Sequence, residues 1–294
     1  MKEKIYILTY HIIKSLLTIT PKKWISPISK YFSLFIYSID KKHRSIAMTN
    51  LDLAYEDTLS QDKKIEVVKK TYLNLLLSLF DVIENQKTTR EKILEKVSFK
   101  NEEILEKAIN KGQNIVLMTA HYGNWELIPL AISARFAPLS VVGRKLDSEK
   151  MDSLLKENRE QFDIDVIEKS GAMRNMIKSI KKKRILGLLV DQNISDGILV
   201  NFFGKPVKHT HSISVLARKF DITIIPVFIT RENNYLLTFY KPLEYSITNN
   251  KEKDILELTQ KQADITEEII RKKPEEWFWL HKRWKDQFKE KYEV

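Results

Sequence analysis

Six histidines and 39 acidic residues in a chain of 294 predict about one histidine with an acid five positions on, and the sequence has two such pairs: His121 with Glu126 and His281 with Asp286. Only the first sits in a setting suited to chemistry. Ile115-Val-Leu-Met-Thr-Ala-His121-Tyr-Gly-Asn-Trp-Glu126 reads as a buried strand, a tight turn permitted by Gly123, and a helix start at Asn124. Open α/β sheets place their reactive groups at such strand ends. On one continuous helix the two side chains would point about 140° apart, so they converge only if the chain turns between them. The chemistry that fits is a His121 base whose tautomer and developing charge are held by the Glu126 carboxylate. Such a base activates a hydroxyl for attack on an acyl thioester, with amides of the turn at Gly123 and Asn124 stabilising the oxyanion. A hydrogen-bonded structural histidine is the competing reading, and spacing alone does not choose.

The elements that must carry this turn are legible as patterns. Ile115–Ala120, Leu139–Val142, Ile185–Val190 and Ile222–Ile229 are short apolar runs separated by helix-length polar stretches, which predicts an α/β fold with buried strands. Tyr235–Tyr240 adds an expected edge strand. Apolar residues at three and four spacing predict a helix between Lys64 and Asn85, and Ile255, Leu258, Ile265 and Ile269 predict another ending before Pro274. The fold class expected is therefore α/β, a mixed sheet flanked by helices. Residues 1–40 stand apart as a helical membrane-associating segment, and residues 41–294 form the α/β domain.

Charge and composition narrow the partners. Lys and Arg exceed Asp and Glu by 50 to 39, and residues 1–50 hold nine basic residues against Glu3 and Asp40. An anionic partner follows, whether nucleic acid, lipid surface or phosphorylated substrate. Ile5, Leu8, Ile12, Leu16 and Ile19 form one helical stripe and Ile28, Phe32, Phe35, Ile36 and Ile39 a second, with Lys22, Lys23 and Trp24 between them. The first run is too short to span a bilayer, so the pattern is that of a retained interfacial anchor, with a helical hairpin packed on the domain as the alternative. Cysteine is absent, which excludes disulfides, a thiol nucleophile and thiolate zinc sites.

Further candidates flank strand ends. Arg144 either clamps phosphate through its planar fork or makes an ordinary surface ion pair. Asp191 and Gln192 either orient neighbouring groups or cap a turn. His209 and His211 lack a third metal ligand and read as a solvated loop, so no metal is expected. Trp277, Trp279 and Trp284 lie among Lys and Arg, and read as core packing of a last helix rather than an aromatic belt or a nucleic-acid stacking surface.

Taken in order, several blocks resemble one family. His121-Tyr-Gly-Asn-Trp-Glu126 is similar to the histidine-acid signature of glycerolipid-type acyltransferases, within the lysophospholipid acyltransferase-like superfamily, and specifically of the lipid A late acyltransferases (lauroyl/myristoyl transferases). Val141-Val-Gly-Arg144 with Leu146-Asp147, Asp191-Gln192 with Val200-Asn-Phe-Phe-Gly204-Lys-Pro206, Ile225-Pro-Val-Phe228, and Pro274-Glu-Glu-Trp277-Phe-Trp-Leu-His281-Lys-Arg-Trp284-Lys285 resemble its later blocks. The resemblance implies that His121 and Glu126 form the catalytic dyad and that Arg144, Asp191, Gln192 and Lys205 bind substrate. It also implies an acyl carrier protein thioester as donor, with no cofactor, and a hydroxyl of a phosphorylated Kdo-bearing lipid A precursor as acceptor. The setting implied is the cytoplasmic face of the inner membrane, on anionic lipid and without nucleic acid. His209-Thr-His211-Ser212 and Glu276 depart from the family pattern, the latter standing where Gln is usual. A glycerolipid acceptor and a non-enzymatic basic binding protein are the other function classes this sequence admits.

Overall fold

The computed structural model describes residues 2–232 and 234–293; the Ile5 side chain, first of the expected apolar stripe, lies outside them. Nine strands and eleven α-helices are found among the described residues. Seven strands make one sheet: β1 (Val97–Lys100), β2 (Asn114–Thr119), β3 (Leu139–Gly143), β4 (Ile164–Glu168), β5 (Ile185–Leu189), β8 (Ile222–Arg231) and β9 (Tyr235–Phe239), in the order β1-β9-β8-β2-β5-β3-β4. Every neighbouring pair is parallel except β8 with β9. β6 (Ile198–Phe202) and β7 (Lys205–His209) form a separate antiparallel hairpin.

The apolar run of β2 is continuous because both of its faces are covered, as parallel strands require. Val116 and Met118 enter one core with Leu186 and Ile224, under α3 (Lys41–Tyr55), α4 (Gln61–Glu84), α9 (Ala172–Lys181), α10 (Ser212–Lys219) and α11 (Lys251–Lys272). Ile115 and Leu117 enter the other with Ile185 and Ile225, under α5 (Arg90–Lys96), α6 (Glu103–Asn110) and α7 (Leu127–Arg135). α8 (Glu149–Arg159) links β3 to β4.

The mixed α/β architecture agrees with the sequence; its edges do not. β9 is interior, paired with both β1 and β8, and the edges are β1 and β4. Strands as short as Val97-Ser-Phe-Lys and Ile164-Asp-Val-Ile-Glu carry little periodic signal, and only pairing with distant partners defines them. The three C-terminal tryptophans are fully buried, as core packing requires, but they follow a 3₁₀ turn (Pro274–Glu276) rather than sitting on a helix. α7 starts at Leu127, three residues later than expected from Asn124. His209 is fully buried instead of solvated.

Two helices precede α3. In α1 (Lys2–Ile19) and α2 (Lys22–Ile39), Leu8, Ile12, Leu16, Ile19, Trp24, Ile28, Tyr31, Phe32 and Phe35 are exposed, Ile19 and Tyr31 to about three quarters of their surface. Among the described residues no helix is long and apolar enough to cross a membrane.

Candidate active site

β2 and β5 are parallel neighbours with Thr119 opposite Leu189, and the Val190 amide continues the ladder onto the Thr119 carbonyl at 3.0 Å. His121 and Asp191 each stand two residues beyond those ends, so the two strands deliver them side by side at the carboxyl edge of the sheet. The Asp191 carboxylate holds the histidine at two points: Oδ1 lies 2.8 Å from Nδ1, and Oδ2 accepts the His121 amide at 2.9 Å. Trp277 Nε1 donates to the same Oδ2 at 2.7 Å.

A carboxylate only accepts, so this contact puts a ring proton on Nδ1 and leaves Nε2 as the ring position that can accept. Nε2 faces the side-chain amide of Gln192 at 3.1 Å, and Gln192 is exposed. Asp191 is fully buried. Burial alone would push its carboxyl up; attraction to His121, with the hydrogen bonds from His121 and Trp277, outweighs that and holds it below the usual carboxylate range. Trp125 and Phe278 wall the imidazole, with ring centroids 5.1 and 6.3 Å away.

Glu126 points elsewhere. Its Oε2 accepts Arg159 Nε at 2.8 Å and its Oε1 pairs with Arg159 Nη2, closing a bidentate ion pair between the start of α7 and the end of α8. The carboxylate partner that sequence spacing assigned to His121 is thus Asp191 in the structure, seventy residues along the chain. The intervening turn is the cause. Gly123 has φ +59°, and a Cβ there would fall 1.9 Å from the Ile229 carbonyl oxygen, so only glycine fits. Past this turn Glu126 meets Arg159, and the imidazole meets Asp191.

The Gly123 amide donates to the Glu276 carbonyl at 2.8 Å, which occupies the donor expected to serve an oxyanion. The Asn124 side chain is buried and donates to Asp81 and the Tyr235 hydroxyl. Arg144 is mostly exposed and pairs with Asp147 at 3.1 Å, while Lys205 pairs with Glu56. Among the described residues no hydrogen bond or ion pair joins Arg144 or Lys205 to His121, Asp191 or Gln192.

The C-terminal segment seals the back of the site. Tyr122 forms a β-bridge with Trp277, and the Phe278 amide donates to the His121 carbonyl at 2.9 Å. Behind it burial pushes His281 down to about 4 and His209 down to about 3, so both are neutral at pH 7. His281 bonds the Phe278 carbonyl, and Asp286 stands 3.9 Å from Lys208, so the second pair at five-residue spacing does not form. Arg283 is fully buried; it donates to the Lys208 carbonyl at 2.7 Å and to His209 Nδ1 at 2.9 Å. Sequence reasoning missed Arg159 and the walls Trp125 and Phe278. Arg159 lies on a charged helix with nothing to single it out, whereas Trp125 and Phe278 fall inside the resembling blocks.

A histidine with Nδ1 tied to a buried carboxylate and Nε2 at the carboxyl edge of a parallel sheet is an arrangement suited to proton abstraction in group transfer. The chain belongs to the family described as "Bacterial lipid A biosynthesis acyltransferase", which it matches over residues 2–286. It is 24% identical over 183 residues to the phosphatidylinositol mannoside acyltransferase of Mycolicibacterium smegmatis, a match covering 60% of this chain and 59% of that relative's length. The crystal structure of the 1-acyl-sn-glycerophosphate acyltransferase PlsC from Thermotoga maritima aligns at TM-score 0.42 with 14% identity, over 88% of this chain and all of that one.

Proposed function

We propose that this protein transfers a fatty acyl group from a thioester to a hydroxyl of a membrane-embedded glycolipid, with His121 Nε2 as general base and Asp191 as its orienting carboxylate. The observation that carries this is the two-point hold of Asp191 on His121, which leaves Nε2 as the basic atom. An acceptor hydroxyl placed where the Gln192 amide now sits gives its proton to Nε2 as its oxygen attacks the thioester carbonyl. The tetrahedral adduct collapses with cleavage of the C–S bond, and the proton on Nε2 leaves with sulfur as a thiol. The base is thereby regenerated. Asp191 stabilises the imidazolium between the two steps. Glu126 and Arg159 fix α7 against α8 and so set the wall that contains Trp125.

The donor we infer is acyl carrier protein thioester and the acceptor a phosphorylated Kdo-bearing lipid A precursor; the family's description and the block resemblance support this acceptor. A mannosylated phosphatidylinositol, the substrate class in the name of the M. smegmatis relative, is the second reading. The exposed apolar residues of α1 and α2, with Lys14, Lys22, Lys23 and Lys30 on the same helices, support seating on anionic membrane. The cytoplasmic face of an inner membrane is the setting in which such a donor and acceptor meet. The test is incubation of the purified protein with mixed acyl carrier protein thioesters and each lipid acceptor in detergent or vesicles, with products identified by mass spectrometry. Acylation of the lipid A precursor supports the first acceptor, acylation of the mannoside alone supports the second, and donor consumption without lipid product overturns both.

A further inference from the structure

We propose that Asp81, on α4, is a positioning residue for the His121–Glu126 turn and acts through the side chain of Asn124. This rests on the acyltransferase reading above. Asn124 is the third residue past His121 and is 2% exposed. Its amide nitrogen donates to Asp81 Oδ2 at 3.1 Å and to the Tyr235 hydroxyl at 3.1 Å, which uses both of its hydrogens. The same Oδ2 accepts Arg231 Nη2 at 2.8 Å and the Tyr235 hydroxyl, and Lys96 Nζ stands 3.7 Å from Oδ1. One carboxylate therefore joins α4, the end of β8, the start of β9, the end of α5 and the turn.

The turn needs such a fixed point. Its Gly123 amide is held by the C-terminal segment and its Gly123 backbone cannot carry a side chain, but from there the chain must reverse into α7 within four residues. The Asn124 carbonyl accepts the Leu127 amide at 3.0 Å, so Asn124 is where the helix direction is set. Fixing it fixes Trp125, which walls the imidazole, and Glu126, which meets Arg159. Burial pushes the Asp81 carboxyl up and the cations Arg231 and Lys96 pull it back. A partly buried charge cluster of this kind is a weak source of stability compared with apolar packing, and its better-attested use is to fix one arrangement among several.

The experiment compares full-length wild type, Asp81→Asn, Asn124→Ala and the double variant, each shown to be folded. Steady-state kinetics with acyl thioester and lipid acceptor are measured together with the imidazole nitrogen resonances of His121. A displacement of about 1 Å at a reactive group costs on the order of 10²-fold, so Asp81→Asn is expected to lower kcat about 10- to 100-fold with little change in KM. The double variant is expected to be no worse than the poorer single one, because both changes remove the same restraint. The His121 ring signals should shift or broaden in Asp81→Asn. Normal kcat in folded Asp81→Asn, or losses that multiply in the double variant while the His121 signals stay put, would overturn the proposal. Absence of turnover by the wild type on every acyl donor sinks the proposed reaction instead; the His121 signals then still decide Asp81, since an unperturbed ring means that it does not position the base. If Asp81→Asn does not fold, Tyr235→Phe loosens the same node, and a fall in kcat without a shift in KM is expected there; no fall counts against the proposal.

Discussion

Asp191 grips His121 twice, through Nδ1 at 2.8 Å and through the backbone amide at 2.9 Å, so the ring's tautomer and the strand end that carries it are fixed by the same carboxylate. Replacing Asp191 by Asn keeps the shape and the Trp277 bond but removes the acceptor charge that selects Nδ1–H and supports the imidazolium. A loss of about 10³- to 10⁴-fold in kcat is expected, the scale on which a wrong tautomer acts. Single-turnover measurements on folded Asp191→Asn check it, and turnover within tenfold of wild type would place the orienting role elsewhere.

His121→Ala removes the base itself. General-base assistance contributes about 10²- to 10⁴-fold, or ~3 to 5 kcal/mol of barrier, and at least that much of kcat should disappear. The double variant with Asp191→Asn should be hardly slower than His121→Ala alone, because both groups serve one proton transfer. Near-normal activity in folded His121→Ala would falsify the mechanism.

Glu126 and Arg159 form a pair of their own, so their substitutions should be coupled to each other and not to His121. Glu126→Gln leaves the largely buried Arg159 without its partner, at a cost of about 2 to 3 kcal/mol in stability. Glu126→Gln with Arg159→Met should lose less than the two singles combined. The kinetic signature is sharper: with His121→Ala, Asp191→Asn should be strongly non-additive in kcat, whereas Glu126→Gln should lower kcat independently. Non-additivity of Glu126→Gln with His121→Ala means that this carboxylate does act on the base.

Glu276 predicts a pH-dependent stability. Burial pushes its carboxyl from an ordinary value of 4.5 up to about 7, despite the bond from the Arg231 amide. Between those values the folded chain keeps a proton that the unfolded chain has released, so stability is full below about pH 4.5 and falls as pH rises toward 7. The shift corresponds to about 3 kcal/mol. Denaturant titrations of wild type and Glu276→Gln should therefore diverge in favour of the variant as pH rises through this window, and parallel curves would contradict the buried-acid assignment.

Removal of residues 1–40 should release the protein from anionic vesicles, because that segment carries the contiguous exposed apolar residues together with six lysines against two acids. Sedimentation of the truncated protein at moderate salt is the measurement. Full retention on the vesicles would place the lipid-binding surface on the α/β domain.

The sequence by itself determined the class of fold and the place of His121 at a strand end. Four apolar runs separated by helix-length stretches predict a mixed α/β sheet with buried strands, and a histidine directly after the run Ile115–Ala120 has to emerge at a strand end. Glycine at 123 required the sharp turn, and Ile255 to Ile269 required a helix stopping before Pro274. What that histidine touches was decided only in three dimensions. Spacing along the chain pointed to Glu126, but the partner at hydrogen-bond distance depends on which strand lies beside β2 and in what register, and that is a property of β5, seventy residues away. Glu126 was turned toward Arg159 by the same reversal that Gly123 permits. His209 reads as solvated in a polar stretch and is buried because the C-terminal tryptophan segment folds back over it. The reason is common to all three: local pattern fixes which face of an element is apolar, whereas the neighbour of a polar side chain is set by strand order and by segments that close over the site from the far end of the chain.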